Sequence, residues 1–256
     1  MIAQPRGARG RVIGGVCVAL LAVSAAGVII ATRPLPAANP MPPCAPLLVV
    51  GLRGSGDTLT RDGGMGADVR AVVSRLSLRL SDRVAFASLG YPYDTGPLWR
   101  VVDHVTSASR ELAAYLAARH RRCPAERLVA IGQSEGAAVL HLALPSIGPQ
   151  LSAGVLMADP ARVAAAPYDR AKGPHDGALA GLLLGPGARD DVPASLTARV
   201  RAFCLRGDPV CDASVPSASW QLRTHVHTRY RDDVEGVADA AATFAASRAL
   251  ADLTTG

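Results

Sequence analysis

Short apolar runs alternate along the chain with longer stretches in which apolar residues recur every three or four positions. These are the signatures of buried strands and amphipathic helices. Residues 47–51 form such a run and end in Gly51-Leu52-Arg53-Gly54-Ser55-Gly56, which reads as a strand feeding a glycine-rich loop. Val69, Val72, Val73, Leu76 and Leu80 follow at helical spacing, and residues 84–89 read as a second strand. Leu98–Arg122 carries Leu98, Val101, Val102, Val105, Leu112, Tyr115 and Leu116 on one stripe and reads as a long helix. Residues 128–131, 153–157 and 200–205 read as strands, 135–144 as a helix, and the alanine-rich stretch 232–253 as the closing helix. Strands alternating with helices predict the α/β class: a three-layer αβα sandwich with a mostly parallel central sheet.

One segment breaks the alternation. Residues 160–199 hold five prolines and a short apolar patch at 178–184. Forty residues are long for a connection between core strands, so the segment reads as a functional insertion or a mobile loop. If it is a flap over or beside Ser134, Leu182, Leu183 and Leu184 turn towards that residue; the alternative is a plain surface loop.

The N-terminus is organised differently. Residues 12–31 contain no charge and follow Arg6, Arg9 and Arg11, a pattern that fits a signal peptide or membrane anchor over residues 1–32. Pro34, Pro36, Pro40, Pro42 and Pro43 then mark a stiff linker over 33–43, leaving 44–256 as the folded domain. The expected location is secreted or extracytoplasmic, with membrane association through this segment if it is not cleaved.

Charge changes the picture little. The net +6 is concentrated around the first apolar segment, and residues 34–256 carry 23 basic against 21 acidic groups. With aromatics at 4% and no basic run interleaved with them, a nucleic-acid footprint is absent. Export, in contrast, changes how the cysteines read. Cys17 lies in the apolar segment, and the remaining four, Cys44, Cys123, Cys204 and Cys211, are an even set that predicts two disulfides. Three pairings are open; Cys204 with Cys211 closes the shortest loop, worth about 2.5 kcal/mol in the chain-entropy model. No spacing supports a zinc site.

The chemistry centres on Gly132-Gln133-Ser134-Glu135-Gly136, a G-x-S-x-G pattern between a buried strand and a helix. A tight turn there exposes a serine hydroxyl at the carboxyl edge of the sheet, above oriented helix N–H groups. A serine in this place also caps helices, but the strand-turn-helix setting favours a nucleophile. Such a serine needs a histidine to take its proton and an acid to orient that histidine. Asp159, Asp208 and Asp212 are candidate acids at strand ends, and His225 and His227 are candidate bases. His104, His120, His141 and His175 read as surface, helical or insertion histidines in structural or solvated roles.

Taken in order, several motifs resemble the cutinase-like serine esterases of the α/β-hydrolase class. They are Cys44-Ala45-Pro46, Arg53-Gly54-Ser55-Gly56, Tyr91-Pro92, Cys123-Pro124-Ala125, the serine turn with Gly136-Ala137-Ala138, Cys204-x-x-Gly207-Asp208-Pro209-Val210-Cys211 and His227-x-x-Tyr230. The resemblance implies the pairings Cys44–Cys123 and Cys204–Cys211 and the triad Ser134, Asp208 and His227. It also implies an oxyanion hole from Ser55 and the backbone N–H of Glu135. The expected activity is that of an exported carboxylic ester hydrolase, a monomer acting on small-molecule or lipid esters, either short- to medium-chain or lipid-like, with no metal or organic cofactor. Thioesterase or acyltransferase chemistry would use the same groups, and the alternative from another class is a silent envelope-binding domain. Two departures stand out: Glu135 replaces the family's usual glutamine, and the 160–199 insertion enlarges a normally small fold.

Overall fold

The computed structural model describes residues 41–80, 84–91, 96–171, 173–187, 191–213 and 225–255. The expected N-terminal apolar segment, Cys17, most of the proline linker and Pro92 lie outside the described residues. Five strands, β1 (Leu47–Leu52), β2 (Val84–Ser88), β3 (Arg127–Gln133), β4 (Leu151–Met157) and β5 (Val200–Phe203), pair in the order β2-β1-β3-β4-β5. All four pairings are parallel. β1 and β4 are buried along their whole length, which is why they read as unbroken apolar runs rather than as an alternation.

Alternate residues of each strand feed two cores. Leu48, Val50 and Leu52 of β1 pack with Val105, Ala108, Leu112 and Leu116 of helix α2 (Leu98–Arg122) and with α3 (Glu135–Ala143). Leu47 and Val49 face the other side, against Val69, Val72, Val73 and Leu76 of α1 (Ala67–Ser77) and the last helix. That helix, α5 (Val237–Thr254), lies beyond the four-residue α4 (Ala180–Leu183) and buries Ala238, Ala241, Ala242, Ala245, Ala246 and Ala249 against the sheet. Small side chains let it approach closely. Among the described residues no helix is long and apolar enough to cross a membrane.

The expected start of the last helix at Asp232 is corrected to Val237. Residues Tyr230–Asp232 and Val234–Gly236 form two tight turns, broken by left-handed backbone at Asp233 (φ 56°), Glu235 (φ 60°) and Gly236 (φ 70°). Helical hydrogen bonding cannot run through those dihedrals.

Cys44 is joined to Cys123 and Cys204 to Cys211. A buried ion pair seats the first bridge: Arg119 donates to Glu126 at 2.6 and 2.7 Å and to the Pro42 and Pro43 carbonyls, while Glu126 accepts the Ala45 N–H. The end of the proline linker is thereby fixed to the domain.

The first half of the 160–199 insertion is a strap rather than a free flap. Asp169 bridges to Ala202, with Ala202 N–H donating to Tyr168 O and Arg170 N–H to Ala202 O, so the strap covers the exposed edge of β5. Ala178 donates to Val210 O, and Leu183 packs against the α2–α3 core, while Leu182 is 55% exposed. Arg162, 1% exposed, organises the strap. It forms a two-pronged pair with Asp169 at 2.7 and 3.0 Å and donates at 2.7 Å to each of the His175, Gly173 and Cys211 carbonyls. All five guanidinium N–H groups are thus used. Arg162→Met leaves the Asp169 carboxylate buried without its partner, so denaturant unfolding is expected to show a loss of about 3 kcal/mol or more. A loss below about 1 kcal/mol would mean that the strap is not held by this residue.

Candidate active site

The order β2-β1-β3 reverses direction at β1, and in open parallel sheets such a reversal leaves a crevice at the carboxyl ends of the strands. The serine turn lies there. Leu52 of β1 is in register with Gly132 of β3, and the chain turns at Ser134 with φ 55° and ψ −124° before entering α3. This backbone is costly for a residue with a Cβ, about 1–3 kcal/mol. It is held by Ser134 N–H donating to Met157 O at 2.9 Å, and by glycines where a side chain would collide. A Cβ on Gly132 would strike the Gly136 carbonyl, and one on Gly136 would strike the Leu52 carbonyl. The Ser134 side chain makes no capping bond to α3.

Instead its Oγ lies 2.8 Å from His227 Nε2. The other ring nitrogen, Nδ1, lies 3.0 Å from Asp208 Oδ2 and 3.1 Å from Oδ1. Three segments remote in sequence therefore supply one hydrogen-bonded line. Asp208 is fully buried on the loop after β5, closed by the Cys204–Cys211 bridge, and its Oδ1 also accepts the Val210 N–H at 2.9 Å. Residues 225–227, which carry the two candidate bases, form a helical turn. At about 100° per residue, side chains two apart still point to nearly opposite sides, and it is His227 that meets Ser134.

The partners that hold this line were not assigned roles from the sequence. Gln133 Nε2 donates to His227 O at 3.3 Å, and the Arg231 N–H donates to Asp68 Oδ1 at 2.6 Å, tying the histidine loop to β3 and α1. Burial pushes the Asp68 carboxyl up from its usual range, while the Arg231 N–H, the Arg231 charge and His227 pull it down. Tyr230, also fully buried, donates to Asp208 Oδ2 at 2.8 Å.

The expected oxyanion donors occupy neighbouring positions. Glu135 is the first residue of α3, beside Ser134. Gly54 packs on the serine turn, where an added Cβ would lie 3.2 Å from Ser134 Cβ, and Ser55 follows it on the exposed side of the loop. Arg53 shapes that loop. Its guanidinium lies 4.7 Å from the Tyr91 ring centre and donates to the Asp57 and Tyr91 carbonyls, while the Tyr91 hydroxyl donates back to Arg53 O. The Glu135 side chain is buried and close enough to Tyr91 to help raise that phenol's pKa, after the larger effect of burial.

The other candidates are engaged elsewhere. Asp159 accepts from Ala161 N–H and lies 2.6 Å from His141 Nδ1. His141, on α3, is fully buried and structurally paired; burial disfavours its charge, but Asp159 and Asp191 raise its pKa to about 10. Asp212 lies 3.2 Å from His175. His104 and His120 lie on α2. Among the described residues no group of three or more His, Cys, Asp or Glu side chains is placed to hold a metal ion.

A family model described as cutinase matches residues 43–249. The chain also resembles a cutinase-like protein from Cryptococcus sp. at 18% identity and TM-score 0.62, covering 80% of this chain and 96% of that one. The catalytic core domain of acetyl xylan esterase from Trichoderma reesei is similar at 19% identity and TM-score 0.64, covering 80% and 99%. A Trichoderma reesei cutinase in complex with a phosphonate inhibitor is similar at 21% and 0.52, covering 81% and 78%. At these identities the solved structures speak for the α/β-hydrolase fold. The family match spans most of the sequence, and on that ground the chain belongs to the cutinase family and is a carboxylic ester hydrolase.

Proposed function

We propose that the protein is an exported serine esterase acting on short- to medium-chain or lipid-like acyl esters through an acyl-enzyme. The observation that carries this reading is the hydrogen-bonded line from Ser134 Oγ through His227 to Asp208. Ser134 Oγ attacks the acyl carbonyl as His227 Nε2 takes its proton. The developing oxyanion is met by donors from Ser55 and Glu135, each typically worth about 3 kcal/mol in such sites. His227 then protonates the leaving alcohol, and water repeats the sequence to free the acid. Asp208 orients the imidazole through its contacts to Nδ1. Export is supported by the apolar segment at 12–31 behind three arginines and by two disulfides, which persist in oxidising compartments. Whether the segment is cleaved or retained decides between a secreted and an anchored form.

A silent binding domain has no need for a nucleophile, base and acid in hydrogen-bonding order. The direct test is hydrolysis of a chromogenic ester series from acetyl to palmitoyl by the purified domain. Turnover is expected, greatest for the shorter members; a folded protein inert towards every ester would return the silent reading.

A further inference from the structure

We propose that Tyr230 is a positioning residue for the catalytic acid, setting both the orientation and the charge of Asp208; this rests on the reading of Ser134, His227 and Asp208 as the triad. Tyr230 is completely buried among Leu205, Cys211 and the α5 core, and three groups surround its hydroxyl. It lies 3.0 Å from the Leu205 N–H, 3.4 Å from Cys211 Sγ and 2.8 Å from Asp208 Oδ2. The backbone N–H donates to the phenol oxygen, and a disulfide sulfur has no proton to give. The single phenolic proton therefore points to the carboxylate, which as an anion only accepts. Burial and the charge of Asp208 also keep the phenol protonated.

The two carboxylate oxygens are consequently held from two sides. Val210 N–H fixes Oδ1, Tyr230 fixes Oδ2, and His227 Nδ1 lies between them. Tyr230 follows His227 by three residues, so one short segment presents the base to the acid and clamps the acid at the same time. Asp68 on α1 anchors that segment at Arg231, the next residue.

The phenol also tempers the acid. A donor on Oδ2 draws charge from the carboxylate and weakens its pull on the His227 proton; without that donor, the imidazolium is favoured. Asp208 from the β5 loop and Asp68 from α1 act on His227 directly, Tyr230 from its own loop acts through Asp208, and Arg231 and Asp57 act on Asp68. Tyr230→Phe changes one of these and keeps the ring that fills the core.

For Tyr230→Phe, kcat is expected to fall about tenfold, the usual scale of one hydrogen bond to a charged group, with KM unchanged. The acid limb of the kcat/KM profile is expected to move to higher pH, because His227 holds its proton more tightly. Placing 3-fluorotyrosine at 230, a stronger donor of nearly the same shape, should move the limb to lower pH, and this keeps the test open if the phenylalanine variant folds poorly. In an Asp208→Asn background the Tyr230→Phe change should be nearly neutral. An unmoved limb in both substitutions, or an equal kcat loss with and without Asp208, would make Tyr230 merely a core residue. Full activity in Asp208→Asn alone would instead overturn the triad on which the proposal stands.

Discussion

Ser134→Ala is expected to abolish ester turnover, lowering kcat by a factor on the order of 10⁵ or more, because members of a serine triad act as a unit. The comparison is clean. The serine backbone is already in the left-handed region at φ 55°, and alanine has the same Cβ, so the substitution adds no backbone strain. Only Oγ is lost, together with its 2.8 Å contact to His227. The Ser134 N–H to Met157 O bond that holds the turn is a backbone bond and persists. Thermal unfolding should therefore be nearly unchanged while activity disappears. An active-site-directed phosphonate should add one equivalent to the parent protein, on Ser134, and none to the variant. Turnover surviving in Ser134→Ala, or labelling at another residue, would remove Ser134 from the mechanism.

The two neighbouring histidines are expected to behave very differently. General bases typically contribute 10² to 10⁴ in rate, and loss of a triad member costs more, so His227→Ala should lower kcat/KM by about 10⁴ or beyond. His225→Ala should stay within about tenfold of the parent, since it leaves all five atoms of the Ser134–His227–Asp208 line in place. His225 is exposed, whereas the His227 side chain retains only 16% of its surface. Measuring kcat/KM for both variants on one soluble ester decides the matter, and the reverse ranking would transfer the base to His225.

Much of the fold was legible because its determinants are local. A strand buried on both faces must be apolar throughout, so β1, β3 and β4 appear as runs, and the stripe on α2 appears at helical spacing. The boundaries that misread are also explained locally. The last helix begins five residues late because left-handed residues at 233, 235 and 236 interrupt it, and non-glycine residues carry no clear mark of that conformation. The strap read as a loop or flap because its order comes from Arg162, whose partners are mostly carbonyls. A backbone oxygen leaves no trace in residue type.

The amino-acid sequence by itself determined the α/β alternation, the strand-turn-helix around Ser134, and a short set of acids and bases. Each depends on residues within one element or one turn, where spacing translates directly into geometry. Only the tertiary structure decided which members of that set meet. Asp159 lies against His141 and Asp212 against His175, while Asp208 reaches His227. It also decided that Tyr230, Asp68 and Gln133 surround that pair, through contacts spanning 22, 163 and 94 residues. The physical reason is that a parallel sheet gathers the carboxyl ends of strands far apart in the chain. Contact at that edge is set by strand order and register, which no local pattern encodes.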